Sequence, residues 1–194
     1  MIGSLRGQLR SKQAPVVNVE CNGVGYDVET PMSTFFMLPA VGGDVFLHTH
    51  LLVREDAQIL YGFATEQERA LFRSVLRVRG IGARIALAIL SAMSVADFTR
   101  SIEHEDATAL SRIPGIGKKT AERLIIEMRD RIDAGGTAPS GGPAPGQDPR
   151  GEAVDALVAL GYKTAEINRL LAGLDIEGQS AEDIIRLALR QAVS

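Results

Sequence analysis

The sequence predicts an α+β protein of several small domains: a β-barrel, a duplicated helical domain, a flexible linker and a short three-helix tail. Three observations carry that prediction. Residues 1–63 alternate β-formers with polar residues between turn signals. Residues 64–133 contain one pattern twice, around Gly80-Ile81-Gly82 and again around Gly115-Ile116-Gly117, an offset of 35 positions. Residues 134–149 hold little that could pack, and residues 150–194 return to helical patterning.

In the first segment, Val16–Cys21 is followed by Asn22-Gly23, a tight hairpin signal, and then by Val24–Glu29. Val45–Val53 and Gln58–Phe63 read as two further strands, and Ile2–Arg10 as the first. Five short strands in this length suit a small closed Greek-key barrel of the OB type. In the second segment, Thr65-Glu66-Gln67-Glu68 and Ser94-Val95-Ala96-Asp97 read as capping boxes. Leu71, Val75, Val78, Ile85 and Ile89 fall at helical spacing.

The stretch Ala134–Arg150 holds four of the eight prolines and five of the twenty glycines, which predicts an extended tether rather than a packed element. Beyond it, Asp148-Pro149 reads as a cap and first helical residue, Gly161 as that helix's end, and Thr164 and Ser180 as the caps of two more helices.

Composition narrows the function. The 194 residues, 45% hydrophobic and 23% charged, are those of a folded soluble chain. No apolar run approaches the ~18 residues of a membrane span; the longest candidate is Ile85–Met93. The start, Met1 to Gly7, has charge and glycine where a signal peptide carries its apolar core, so a cytoplasmic location is expected. The single Cys21 excludes an internal disulfide and a cysteine-rich zinc site.

A net charge of −3 hides an uneven distribution. Lys/Arg against Asp/Glu run 4 to 6 in residues 1–63, 12 to 9 in 64–132, 0 to 2 in 133–149 and 5 to 7 in 150–194. Only the segment carrying the repeat is basic, so a phosphate footprint is expected there.

The repeat itself has a physical reading. Val78 to Ala86 matches Ile113 to Ala121, Val75 aligns with Leu110, and Ile89 with Leu124. Each copy is an apolar helix, a Gly-Ile-Gly turn and a second apolar helix with basic residues at its start. Glycine permits backbone angles that other residues resist and lets a ligand approach with no Cβ in the way. The turn opens a helix, whose unpaired N–H groups and positive dipole end suit an anion. Ile81 and Ile116 would plug each turn into its helix pair. The candidate phosphate-binding set is Arg79, Gly80, Gly82 and Arg84 in the first copy, and Gly115, Gly117, Lys118, Lys119, Thr120 and Arg123 in the second. Such contacts position a nucleic acid but read no bases. Two glycine C-caps in an ordinary bundle are the competing reading. A Walker A loop is excluded, because Arg112 stands where its first glycine must be and Lys119 where Ser/Thr must be. A dinucleotide fingerprint fails too, since its third glycine is replaced by Ile85 or Thr120.

This pattern resembles the helix-hairpin-helix motif in its tandem form. The resemblance then widens to the whole chain outside the linker. Met1-Ile2-Gly3 with Leu5-Arg6-Gly7, Gly23-Val24-Gly25-Tyr26, Val53-Arg54-Glu55-Asp56-Ala57, Tyr61-Gly62-Phe63, Pro114 to Leu124 and Ala159-Leu160-Gly161-Tyr162 are similar to the RuvA family of bacterial Holliday-junction-binding subunits. The resemblance implies an OB-type barrel in 1–63, a tandem helix-hairpin-helix domain in 64–133, a linker in 134–149 and a three-helix, UBA-like domain in 150–194 that binds RuvB. It implies a homotetramer, paired into an octamer on DNA, that holds four-way junction DNA open and planar. It implies recruitment of the hexameric ATPase RuvB for branch migration in recombination, DNA repair and the SOS response to DNA damage, with the nuclease RuvC in the same complex. It also implies that Glu55 and Asp56 form an acidic pin at the tetramer centre.

From the residues alone, Glu55 and Asp56 are two adjacent carboxylates at a hairpin tip, for which a solvated turn is the favoured reading and only the resemblance points to a pin. A metal-dependent nuclease site is the sharper rival, but no third ligand or general base stands beside them in sequence. His48 and His50 share a strand face without a further ligand, His104 sits in an acidic helix end, and Cys21 reads as a small buried hydrophobe. No nucleophile–base constellation is present, so no catalytic residue, cofactor or metal is expected. In the tail, Leu157, Leu160 and Tyr162 are the candidate partner-docking residues, with plain core as the alternative. Two other functions remain open on the residues: a DNA-repair enzyme with accessory helix-hairpin-helix units, and an RNA-binding barrel that would need stacking aromatics.

Overall fold

The computed structural model describes residues 1–133, 149–162, 164–174 and 179–193. The tether expected over 134–149 lies, but for Pro149, outside the described residues, as do Asp148 as a cap and the side chain of Thr164. The chain divides into two compact units, Met1–Gly141 and Gly142–Ser194.

The first unit begins with a closed five-stranded barrel. Its strands are β1 (Ser4–Gln13), β2 (Val16–Cys21), β3 (Val24–Glu29), β4 (Asp44–Val53) and β5 (Gln58–Phe63). They run in the order β1-β2-β3-β5-β4 and close by the antiparallel pairing of β1 with β4. The β3–β5 pair is parallel, through Val28↔Leu60 and Glu29↔Tyr61. Asn22 and Gly23, both at positive φ, turn β2 into β3 as the Asn-Gly signal predicts. Alternation places Leu5, Leu9, Val17, Val19, Val28, Val45, Leu47 and Leu60 inside. Cys21 is only half-buried, packed against that core from its edge.

A short helix, α1 (Met32–Met37), enters between β3 and β4 and is absent from the sequence reading. It has no side-chain cap, and its six residues are too few to show a helical period. Tertiary bonds hold it instead. Ser33 Oγ and Thr34 Oγ1 donate to the buried Glu68 carboxylate at 2.6 and 3.1 Å, and the Met32 N–H donates to Ser91 Oγ at 3.0 Å.

Five helices follow: α2 (Glu66–Leu76), α3 (Ala83–Ala92), α4 (Val95–Glu103), α5 (Ala107–Ser111) and α6 (Lys118–Asp133). Thr65 and Glu68 form the full reciprocal capping box on α2. At α4 only half of it forms: Ser94 Oγ accepts the Asp97 N–H, but the shorter Asp97 carboxylate turns to the Ser94 hydroxyl. The helices share one core with the last strand, where Tyr61 and Phe63 pack on Phe72 at ring separations of 5.0 and 4.9 Å. This seam also takes the histidines. His48 Nδ1 lies 3.0 Å from Glu66 Oε2, and His50 Nδ1 accepts from Arg73 Nε at 3.3 Å.

The second unit contains α7 (Pro149–Ala159), α8 (Thr164–Ala172) and α9 (Ala181–Val193). Gly161, at φ 96°, ends α7, with Tyr162 N–H bonding back to Leu157 O at 3.1 Å. Ser180 caps α9 by accepting the Asp183 N–H. Ala153, Leu157, Ile167, Leu171, Ile184 and Ala188 form its core.

Candidate nucleic-acid interface

The sequence repeat is also a repeat of hydrogen bonds. In the first copy Arg77 N–H bonds to Ser74 O, Val78 to Val75, Ile81 to Val78, and both Ile85 and Ala86 to Gly82. In the second copy Arg112 bonds to Ala109, Ile113 to Leu110, Ile116 to Ile113, and both Thr120 and Ala121 to Gly117. Each partner shifts by the same 35 positions as the sequence. Val78 and Ile81 in one copy, and Ile113 and Ile116 in the other, are buried plugs beneath the turns.

The two glycines of each turn have different reasons. Gly80 and Gly115 sit at φ 82° and 89°, where L side chains are strained, so the turn itself requires them. Gly82 and Gly117 do not. Gly82, the N-cap of α3, has φ −98° and ψ 174°, and Gly117 likewise avoids positive φ. A Cβ on either would meet nothing within 4 Å. The expectation of special backbone angles at both glycines is therefore corrected: half of them are spare as far as folding goes. The Cβ side of Gly82 and Gly117 is open space at each helix start.

That helix start offers donors. The first intrahelical bonds of α3 begin at Ile85, and those of α6 at Thr120. The N–H groups of Gly82, Ala83 and Arg84, and of Gly117, Lys118 and Lys119, lie ahead of them at the positive end of each dipole. Arg79, Gly80, Gly82 and Arg84 are exposed, as are Gly115, Gly117, Lys118 and Lys119; Thr120 is half-buried.

Arg123 lies elsewhere than its position in sequence suggests. It follows the second turn, yet its guanidinium is 3.7 Å from where a Cβ on Gly80 would be, so it covers the first turn. It is half-buried, and its Nε has no hydrogen-bond partner. Reciprocally, a Cβ on Gly115 would sit 3.5 Å from Ile85 Cγ1. Each turn thus rests against the second helix of the other copy.

Glu55 and Asp56 are exposed at the tip between β4 and β5, closed by the Arg54 N–H bonding to Ala57 O at 2.8 Å. Arg54 lines a cleft of about 480 Å³ together with Tyr61, Arg84 and Leu87. The base of the acidic hairpin and the start of α3 therefore border one space. Burial raises the Tyr61 pKa, Glu29 adds to the rise, and Arg54 offsets part of it. Among the described residues no three His, Cys, Asp or Glu side chains come together as metal ligands. No single described helix is long and apolar enough to cross a membrane. Of the barrel aromatics, Tyr61 and Phe63 are buried, Phe46 lies between Arg6 and His48, Phe35 lies under Lys12, Tyr26 is half-buried and Phe36 is exposed.

In the second unit, Leu157 is fully buried, so its place in a docking patch is corrected: a core side chain has no surface to offer. Tyr162 is half-buried against the same core, and Leu160 is exposed beside Val158.

Comparison with known proteins adds an independent line. Residues 1–62 match the model of the RuvA N-terminal domain, 72–130 that of the SAM-like helix-hairpin-helix tandem, and 148–193 that of the RuvA C-terminal domain. The chain is similar to proteins named "Holliday junction branch migration complex subunit RuvA". It is 56% identical to the one from Methylococcus capsulatus, covering 100% of both chains. It is 53% identical to that from Thioalkalivibrio sulfidiphilus, covering 98% of each. For the Nitrosococcus oceani protein the identity is 51%, over 98% of this chain and 99% of the relative.

Proposed function

The chain belongs to the RuvA family, and from that membership we propose that it is the junction-binding subunit of a Holliday junction branch migration complex. It binds four-way DNA by its backbone, without reading bases, and it hydrolyses nothing itself. The observation that carries this reading is the pair of exposed glycines, Gly82 and Gly117, that the fold does not require and a closely approaching phosphate does.

In this reading Arg79, Gly80, Gly82 and Arg84 grip one strand segment, and Gly115, Gly117, Lys118, Lys119 and Thr120 grip another. Arg123 adds its charge at the first turn. Four subunits around one axis place Glu55 and Asp56 at the crossover, where they repel phosphates and keep the junction open. Two such tetramers enclose the junction as an octamer. The 150–194 domain, on the 134–149 linker, presents Leu160 and Tyr162 to the RuvB ATPase, which supplies ATP hydrolysis, while RuvC cuts in the same complex. The tether and the barrel and helical domains (1–63 and 64–133) belong to this reading, as does a cytoplasmic site of action.

Comparing binding of a four-way junction, a linear duplex of the same sequence and a single-stranded RNA tests it. The expected order is junction well above duplex, and RNA weakest. Equal binding of junction and duplex would remove structure specificity, and preference for RNA would return the barrel to a base-stacking role.

A further inference from the structure

The repeat preserves more on its surface than the glycine turns need. Between Ser74/Ala109 and Met93/Met128, six aligned positions are exposed in both copies. Two of them have diverged, Arg79/Pro114 and Ser91/Ile126. Two are the turn glycines, Gly80/Gly115 and Gly82/Gly117. The remaining two are cationic in both copies: Arg84/Lys119, already placed at the helix starts, and Arg77/Arg112. Buried positions are kept alike by packing, as Val78/Ile113 and Ile81/Ile116 show, but exposed ones carry no such constraint.

Arg77 and Arg112 also share their placement. Arg77 is the C-cap of α2 at φ −81° and ψ −9°; Arg112 is the C-cap of α5 at φ −76° and ψ −15°. Each stands three residues before the positive-φ glycine of its own turn. Along α2, Arg69 donates to Gly3 O and to Glu66, and Arg73 to His50. In the second copy His104 and Thr108 take the positions of Arg69 and Arg73. The row along α2 is therefore not repeated, and its last member is.

We propose that Arg77 and Arg112 are a second pair of phosphate contacts, one on the entering helix of each glycine turn, gripping the backbone next to the phosphate held by the N–H groups. This rests on the reading of the turns as DNA-binding. Glycine amides fix one phosphate rigidly, and a long guanidinium side chain at the rim reaches its neighbour along the strand with two donors. A cation at a helix C-terminus also favours the dipole, which is the structural role to be separated.

The test uses the full chain with Arg77→Gln, Arg112→Gln, both together, and the charge-keeping double Lys variant. Affinity for a four-way junction is measured across salt, alongside thermal stability. The expected result is that the slope of log affinity against log salt falls by about 0.9 for each Gln change and about 1.8 for the pair. Junction and duplex weaken alike, and the Lys variant keeps its slope. An unchanged slope in the double Gln variant, whatever its stability, overturns the proposal and leaves the pair as helix caps. If the double Gln variant fails to fold, the single variants are read instead, and unchanged slopes in both overturn the proposal equally. A wild-type chain that binds the junction with no salt dependence would overturn the phosphate reading of the turns, and this proposal with it.

Discussion

The two glycine turns have the same backbone and different surroundings. The first opens on Ala83-Arg84 and is covered by Arg123; the second opens on Lys118-Lys119, follows Pro114 and rests on Ile85. The helix leading into the first is anchored to the barrel through Arg69 and Arg73, whereas α5, leading into the second, is five residues long and capped by Asp106. Hydrogen bonds, buried plugs and paired glycines stay fixed while most surface charges vary. On the proposed reading the fixed part is the binding device, and the variable charges set how strongly each copy grips.

The largest effect on this comparison comes from filling both open sites. Gly82→Val with Gly117→Val should lower junction affinity at least ~100-fold, since each lost hydrogen bond to a charged group is worth about 1.5–3 kcal/mol. Stability should fall by no more than about 1 kcal/mol per site, the usual difference among N-cap residues. Fluorescence anisotropy with a thermal melt on the same samples checks both halves. Loss of folding in step with binding would make these glycines structural and dissolve the distinction between the two kinds.

Removing charge should separate the copies. Lys118→Ala with Lys119→Ala should reduce the salt slope by about 1.8, and Arg84→Ala by about 0.9, with melting unchanged because all three are exposed. Arg123→Ala should lower both affinity and melting temperature, since that side chain packs over Gly80. Equal slopes for the two turns would mean that the surface charges do not set the grip.

A smaller effect is expected at the acidic tip. One carboxylate ~6 Å from a phosphate costs between roughly 0.7 and 3 kcal/mol as the effective dielectric falls from 80 to 20, before screening. Glu55→Gln with Asp56→Asn should leave junction binding intact or tighter and raise duplex binding more, narrowing the preference. Unaltered discrimination would reduce the tip to a solvated turn.

The smallest effect concerns only the anchored copy. Burial, then the charges of Arg73 and Arg69, hold the His50 pKa below its ordinary 6.5. The folded chain thus resists a proton that the unfolded chain accepts, so this contribution to stability is present above about pH 6.5 and is lost as pH falls toward the depressed value. Hydrogen exchange at mild acid should rise in α2 before α6, and His50→Asn should flatten that dependence. Simultaneous loosening of both copies would place the acid-sensitive group elsewhere.

The sequence carried the parts of this comparison that are local. Asn22-Gly23, the Thr65 box and the duplicated Gly-Ile-Gly each bring their own geometry, and the repeat shows itself by register alone. Contacts across the chain were hidden. Arg123 follows the second turn but serves the first; Arg54 reaches the space beside Arg84; α1 exists because Glu68, far along the chain, holds Ser33 and Thr34. Leu157 illustrates the same limit, since apolar spacing alone does not tell a core residue from an exposed one such as Leu160. The difference between Gly80 and Gly82 is invisible in a one-letter repeat and plain in the backbone angles.

The central claim is that backbone N–H groups at both helix starts hold phosphate. Amide hydrogen exchange measured with and without a saturating four-way junction tests it directly. The account predicts slowed exchange at Gly82–Arg84 and at Gly117–Lys119, in both copies together and beyond any slowing in the barrel. Protection confined to the barrel strands, or to one turn with the other unchanged, would contradict it.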